Sequence, residues 1–246
     1  MAQQVGTIKL KGKVGDLSFY ERNNTYQARA KGGVDAKRIK NDIAFERTRE
    51  NNSEFAKASQ AAKKLRQLFR IILLQVPDPK MNFNLTSRFL RIVKADQINN
   101  RGSRNVLAEN YRLLQNFQFN SNNHLYNTFL EDIASSINLV DQYVEIKIPA
   151  IHPKISIVAP GEVTHFRLIT SAASIGTENE CASLLDSEIL NINDATESQT
   201  FKINLVVKPQ EPIIILFGIT FFTTSLNCIV PLQNGDLNTL GVIKIY

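Results

Sequence analysis

Cysteine is nearly missing from this chain: Cys181 and Cys228 are the two present in 246 residues. Two thiols cannot build the disulfide framework of a small secreted domain, and without a CxxC pair there is no zinc or redox signature. Each is expected to be a small buried or half-buried thiol. Long apolar runs are missing too. No stretch reaches the roughly 18–20 apolar residues that a membrane-spanning helix needs, and the opening MAQQVGTIKLKGKVGDL lacks the apolar segment of a secretory signal. The expectation is cytoplasmic synthesis without membrane insertion, with any release or extracellular assembly following a signal-independent route. The most apolar window, Ile213 to Phe222, is short, β-branched and aromatic and follows Pro212, so it reads as a buried strand.

Catalytic patterns are equally scarce. None of the 11 glycines falls in a GxxxxGK[ST] or GxGxxG loop, so the commonest ways of cradling a phosphate with backbone amides do not apply. HExxH, GxSxG and the DxDxDG calcium loop do not occur. The three histidines, His124, His152 and His165, are not paired at metal-ligand spacing. The sequence therefore offers no catalytic residue, no cofactor site and no metal site.

What is present is charge, unevenly spread. Residues 1–112 carry 23 Lys and Arg against 10 Asp and Glu, whereas residues 113–246 carry 6 against 13. Such a division favours head-to-tail encounters between copies unless one fold brings the two halves together. On the basic side, Lys63, Arg66 and Arg70 share a helix face, and Lys9, Lys11 and Lys13 share one side of a predicted first strand. Both rows suit phosphates as well as acidic protein, although aromatic residues do not interleave with them as single-strand binding requires. On the acidic side, Glu178, Glu180, Asp186, Glu188, Asp194 and Glu197 read as a solvated loop rim that is a candidate docking surface.

The spacing predicts an α+β fold in three stretches. Residues 1–40 read as an extended arm or β-meander: a strand over Val5–Lys11, a turn at Gly12–Asp16, then strands Leu17–Glu21 and Thr25–Ala30 joined through Asn23-Asn24, with a break at Lys31-Gly32-Gly33. Residues 41–119 read as a basic helical region. Asn41-Asp42 supplies a cap for a short helix through Ile43, Ala44 and Phe45, Asn51-Asn52-Ser53 offer a second cap, and Phe55, Ala58, Ala62, Leu65, Phe69 and Ile72 form one buried stripe. A further helix carries Leu85, Phe89, Ile92 and Val93, and a shorter one covers Val106–Phe117. Residues 120–246 alternate as short strands near 126–138, 142–149, 162–172, 183–192, 199–208, 212–223, 227–233 and 238–246, which predicts an antiparallel β-sandwich. The last of these is expected to need a partner or to leave an open edge.

The runs Gly15-Asp16-Leu17-Ser18-Phe19-Tyr20, Gly32-Gly33-Val34 and Arg47-Thr48-Arg49-Glu50-Asn51-Asn52-Ser53-Glu54-Phe55 resemble a family of uncharacterised proteins common in Bacteroidota. The likeness extends through Ala159-Pro160-Gly161, Thr164-His165-Phe166-Arg167-Leu168 and Phe217-Gly218-Ile219. It implies no activity and no site residues. From the residues themselves, the expectation is a non-enzymatic structural subunit that assembles with copies of itself. Ile8, Leu10, Phe19 and Tyr26 would serve strand packing, and Lys63, Arg66 and Arg70 would dock against acid. The competing expectation is a nucleic-acid-associated protein that uses the basic helical half.

Overall fold

In the computed structural model, the residues described are 2–30, 34–176, 182–205, 210–232 and 237–246. The break expected at Lys31-Gly32-Gly33, the residues Cys181, Glu178 and Glu180, and the ends of the strands expected over 199–208 and 227–233 lie outside them. The chain is α+β, with helices and antiparallel sheets, and divides into two compact units, Met1–Glu50 and Asn51–Tyr246. This division differs from the boundaries expected at 40 and 119, because the helices after residue 50 share a core with the sheets.

The first unit is a four-stranded antiparallel sheet of β1 (Ala2–Gln3), β2 (Gly12–Val14), β3 (Leu17–Arg22) and β4 (Thr25–Ala30), in the order β1-β4-β3-β2. Asn23 and Asn24 take φ of 50° and 57°, the paired left-handed conformation that makes a tight hairpin between β3 and β4. The expected strand over Val5–Lys11 does not form. The Gln4 side chain accepts from the Leu10 N–H at 2.8 Å and donates to the Leu10 carbonyl at 3.2 Å, closing a loop. The strand forms directly after Lys11, over the three residues Gly12–Val14 that were expected to turn, and the chain turns at Gly15 (φ 55°). After the sheet come α1 (Ala36–Asn41), capped by Asp35, and a 3-10 turn, Ile43–Phe45, capped by Asp42.

In the second unit α2 (Glu46–Leu68), whose first turn belongs to the preceding unit, is followed by the short α3 (Arg70–Leu73) and by α4 (Met81–Lys94). Ala58, Ala62, Leu65, Phe69 and Ile72 are buried as their spacing predicts, but Phe55 is exposed and Glu54 is buried in its stead. Asn51-Asn52-Ser53 do not cap a helix; α2 runs straight through them. Both departures have one cause: the loop after α4 lies against this part of α2. Gly102 donates to the Glu54 carboxylate at 2.9 Å, Ser53 donates to the Gly102 carbonyl at 2.8 Å, and Lys57 Nζ donates to the carbonyls of Ser103 and Arg104. A 3-10 stretch, Ala108–Leu114, stands where a short helix is expected.

Next come α5 (Leu125–Thr128), β5 (Ala134–Asn138), β6 (Tyr143–Ile148), α6 (Pro153–Ser156), β7 (His165–Ser174), β8 (Ala182–Asp186), β9 (Leu190–Asn191), β10 (Gln199–Asn204), β11 (Ile213–Ser225), β12 (Cys228–Pro231) and β13 (Thr239–Ile245). Strands β10-β6-β5 form a small sheet. Strands β12-β11-β7-β8 form a larger one, with β13 on β11 and β9 on β7.

The larger sheet is the middle of three layers. Phe166, Leu168 and Ala172 of β7 and Ile213, Ile215, Phe217, Ile219 and Phe221 of β11 share a core with Val144, Ile146, Phe201 and Ile203 of the small sheet. The intervening residues, Ile169, Ala173, Ile214 and Leu216, join Leu240 and Val242 in a second core with Ala58, Leu65, Phe69, Leu85, Phe89 and Ile92 of the helices. A strand buried on both faces needs apolar side chains at every position, which accounts for the uninterrupted run in β11. The terminal strand, expected to need a partner or to leave an open edge, is paired on both sides: β13 pairs with β11, and its other edge exchanges bonds with residues 116–119, with Phe119 N donating to Leu240 O at 2.8 Å and Val242 N to Phe117 O at 2.9 Å.

The loop that follows α4 is organised by Asp96, 1% exposed, whose carboxylate accepts from the Asn99 side chain and from the N–H groups of Asn105, Asn99 and Ile98. These bonds, with that from Asn99 foremost, hold its carboxyl far below the usual aspartate range against the opposing effect of burial. A depressed folded pKa gives stability that is present above the unfolded value, near 3.9, and lost as the pH falls through the folded one. Asp96→Asn is therefore expected to be less stable than the parent in urea at pH 7, and the gap should narrow between about pH 4 and pH 2. A gap of constant size across that range would show that the carboxylate is not held as described.

Candidate interaction surfaces

Register places side chains of the first unit on two faces. Val14 lies opposite Leu17, Gly12 opposite Phe19, Leu17 opposite Ala30, Phe19 opposite Ala28 and Glu21 opposite Tyr26, so Val14, Leu17, Phe19, Tyr26, Ala28 and Ala30 share one face. The other face carries Lys13, Ser18, Tyr20, Arg22, Thr25, Gln27 and Arg29. Within the first unit no described residue forms a layer over the apolar side: Val14 is 65% exposed and Leu17 43%, and Phe19 and Tyr26 are only half-buried. Lys11 Nζ sits 5.5 Å from the Tyr26 ring centroid and pairs with Glu21 at 2.5 Å. That carboxylate raises the Lys11 pKa above its ordinary value. None of the described residues from 2 to 50 is fully buried.

The seven residues singled out from sequence fall into three groups. Phe19 and Tyr26 lie on the same apolar face. Ile8 (81% exposed) and Leu10 (48%) lie in the loop that Gln4 closes, off any strand, so they share no strand face with the other two. Of the three cations, Lys63 and Arg70 are exposed, whereas Arg66 is half-buried and donates to the Asn82 side-chain oxygen, tying α2 to α4. Arg66 acts as a helix tie and is not free to dock.

The charge division also changes when read on the fold. Residues 51–112 hold 12 basic and 4 acidic side chains, and they belong to the same unit as residues 113–246, which hold 6 and 13. The second unit is thus close to neutral, 18 against 17, whereas residues 1–50 keep 11 against 6. The helical half is not a free cationic pole. Of the acidic rim, Asp186, Glu188, Asp194 and Glu197 are exposed, and Asp186 faces Arg167 Nη1 at 3.7 Å.

Among the described residues, no group of three or more His, Cys, Asp or Glu could hold a metal ion. His124 and His152 are exposed, and His165 Nδ1 lies 2.9 Å from the Thr164 hydroxyl. Cys228 is exposed on β12 and not buried as expected, because β12 pairs only with the far end of β11, beyond both cores. No helix among the described residues is long and apolar enough to cross a membrane.

Two grooves stand out in the second unit. One, of about 560 Å³, runs between α2 and Pro212 and mixes Lys57 and Lys64 with Glu211 and Tyr111. The other, of about 390 Å³, lies between α4 and residues 116–127; Arg88, Arg91, His124 and Tyr126 line it, and no carboxylate does. Sequence reading missed this second groove. The i, i+3 spacing of Arg88 and Arg91 was visible, but the 116–127 wall comes from the segment paired to β13, a contact more than a hundred residues away in the chain.

No protein-family model matches this chain, and no curated protein or solved structure matches it significantly.

Proposed function

We propose that this chain is a non-enzymatic structural subunit that assembles with copies of itself, with its amino-terminal sheet as the contacting element. The carrying observation is that sheet: four strands without one fully buried side chain, and with Val14, Leu17, Phe19 and Tyr26 on a single uncovered face. A small sheet with no covering layer is marginal in water, and burying each large apolar side chain contributes about 1.5–3 kcal/mol, so a partner surface is its natural complement. Charge favours a second copy as that partner, since residues 1–50 keep 11 basic against 6 acidic side chains and the second unit, near neutral as a whole, exposes Asp186, Glu188, Asp194 and Glu197 on its rim. The contact joins different surfaces of the two copies, and such contacts repeat into rings or filaments.

Electron microscopy and light scattering of the untagged protein at moderate salt test this reading. Ordered polymers or rings are expected from the full chain. Removal of residues 1–30 should abolish them without unfolding the rest, because no residue of that segment belongs to either core of the second unit. Tyr26→Ser should weaken assembly in the same direction. A truncated chain that still polymerises, or a full chain that stays monomeric at high concentration, would refute the proposal.

The second reading, nucleic-acid association, has one observation in its favour: Lys63 and Arg70 are exposed on the α2–α3 stretch and engage no carboxylate among the described residues. It would show as affinity for DNA or RNA that falls steeply with added salt and is reduced in Lys63→Gln and Arg70→Gln.

A further inference from the structure

The groove between α4 and residues 116–127 is lined by two arginines and a histidine with no carboxylate among them, whereas the groove between α2 and Pro212 mixes Lys57 and Lys64 with Glu211. Arg88 and Arg91 project into it from successive turns of α4, and His124 faces them from the opposite wall. The Arg88 guanidinium is held in place: it lies 5.9 Å from the Phe117 ring centroid, and its Nη1 is 3.4 Å from the Leu113 carbonyl. The Arg91 side chain is exposed and makes no ion pair or hydrogen bond with the described residues. Two guanidiniums one turn apart would ordinarily be offset by a nearby Asp or Glu. Here no Asp or Glu lines the groove, and Asp78, which reaches it through the N–H of Ser121, is already engaged by that bond and by the N–H of Lys80.

The rest of the lining is uncharged and set up for hydrogen bonding. Gln118 is fixed from both ends, accepting from Leu125 N at 2.8 Å and donating to Asn116 O at 3.2 Å. The Tyr126 hydroxyl donates to the Asn116 side-chain oxygen at 2.9 Å, and the Asn116 amide nitrogen has no partner among the described residues. Asn84 and Asn127 add side-chain amides that no described residue engages. Guanidinium forks match the geometry of phosphate oxygens, whereas amides and a phenol match hydroxyls. The volume, about 390 Å³, is at the small end of ligand sites and suits one ring with its substituents.

We infer that this groove binds a small organic phosphate, a phosphate monoester on a hydroxylated carrier, with Arg88 and Arg91 taking the phosphate and the amides of Asn84, Asn116 and Asn127 the carrier. The inference stands independently of self-assembly, since every residue it uses lies in the second unit.

The test is calorimetric titration of the full chain at low ionic strength with a panel of sugar phosphates and nucleoside monophosphates, with inorganic phosphate and the unphosphorylated carriers as controls. At least one ester is expected to bind more tightly than inorganic phosphate, and its bare carrier should bind at least tenfold more weakly. Arg88→Gln and Arg91→Gln should each weaken the ester by about tenfold or more, the loss expected for one charge-assisted contact. Lys94→Gln, an exposed cation on the same helix outside the groove, should change it less than twofold. Arg91 is exposed, so its variant tests the site even if Arg88→Gln is found to disturb folding. No binding by any ester, equal affinity for inorganic phosphate, or an equal loss in Lys94→Gln would overturn the assignment.

Discussion

A fragment that begins at residue 120 is expected not to fold, although the sequence marks that point as the start of a β domain. The larger sheet would lose its helical layer and expose Ile169, Ala173, Ile214, Leu216, Leu240 and Val242 together. Five of these are large aliphatics, each contributing about 1.5–3 kcal/mol when buried, so the loss is roughly 8–15 kcal/mol, as large as the whole stability of an ordinary domain. The fragment would also lose the 116–119 segment and leave one edge of β13 bare. A fragment covering 51–246 keeps both cores and should unfold in urea as a single cooperative transition, seen alike by circular dichroism and fluorescence. A cooperative transition in the 120–246 fragment alone would show that the two cores are separable.

That expectation marks where sequence reading stops. Periodicity identified Ala58, Ala62 and Leu65 of α2 and Leu85, Phe89, Ile92 and Val93 of α4, because a 3.6-residue stripe needs only local information, but it placed Phe55 inside where Glu54 is buried. Asn23-Asn24 identified the hairpin through their tolerance of positive φ. The run Ile213–Phe222 was legible as a core strand, but a run with no polar side gives no sign that alternate residues serve different layers. The partner of the second face was therefore invisible, and the helices were assigned a region of their own. Local alternation also misled at Val5–Lys11, where one glutamine, Gln4, takes the backbone bonds of Leu10 that a strand would need. Between 126 and 138 an extended run was expected, but α5 occupies its start, and Phe129 then bridges Ile157 on its own before β5 begins.

The candidate surfaces follow the same rule. Phe19 and Tyr26 were legible as neighbours because a hairpin fixes its own register. Arg66 was not legible as a tie, since its partner Asn82 is sixteen residues away on another helix. The charge count of the chain is a fact of sequence, yet its meaning depended on which residues share a body. Once helices and sheets fall in one unit, most of the apparent dipole closes on itself, and the cation excess that remains belongs to the amino-terminal sheet.

Gly218→Ala should be among the most damaging single-atom additions that this protein can receive. Gly218 is in the middle of β11, paired with Ile169 of β7 on one side and Leu240 of β13 on the other. A Cβ built there would lie 2.2 Å from the Thr239 carbonyl oxygen, 3.0 Å from Leu240 Cδ1 and 3.1 Å from Leu240 Cα. Two of those three atoms are backbone, so no side-chain rotation relieves the contact. Separating β11 from β13 would strain a ladder that already shifts register between Ile215 and Leu216. If β11 itself made that move, it would press on β7 at its opposite edge. Overpacking usually costs about 1–3 kcal/mol, and a clash against backbone belongs at or above the top of that range. At about 2–4 °C per kcal/mol for a domain of this size, the melting temperature should fall by roughly 6–12 °C. Gly161→Ala is the control: its Cβ would meet nothing within 4 Å, and its effect should stay within about 0.5 kcal/mol. If the two variants melt together, the close approach of β13 to Gly218 is not present in the folded protein.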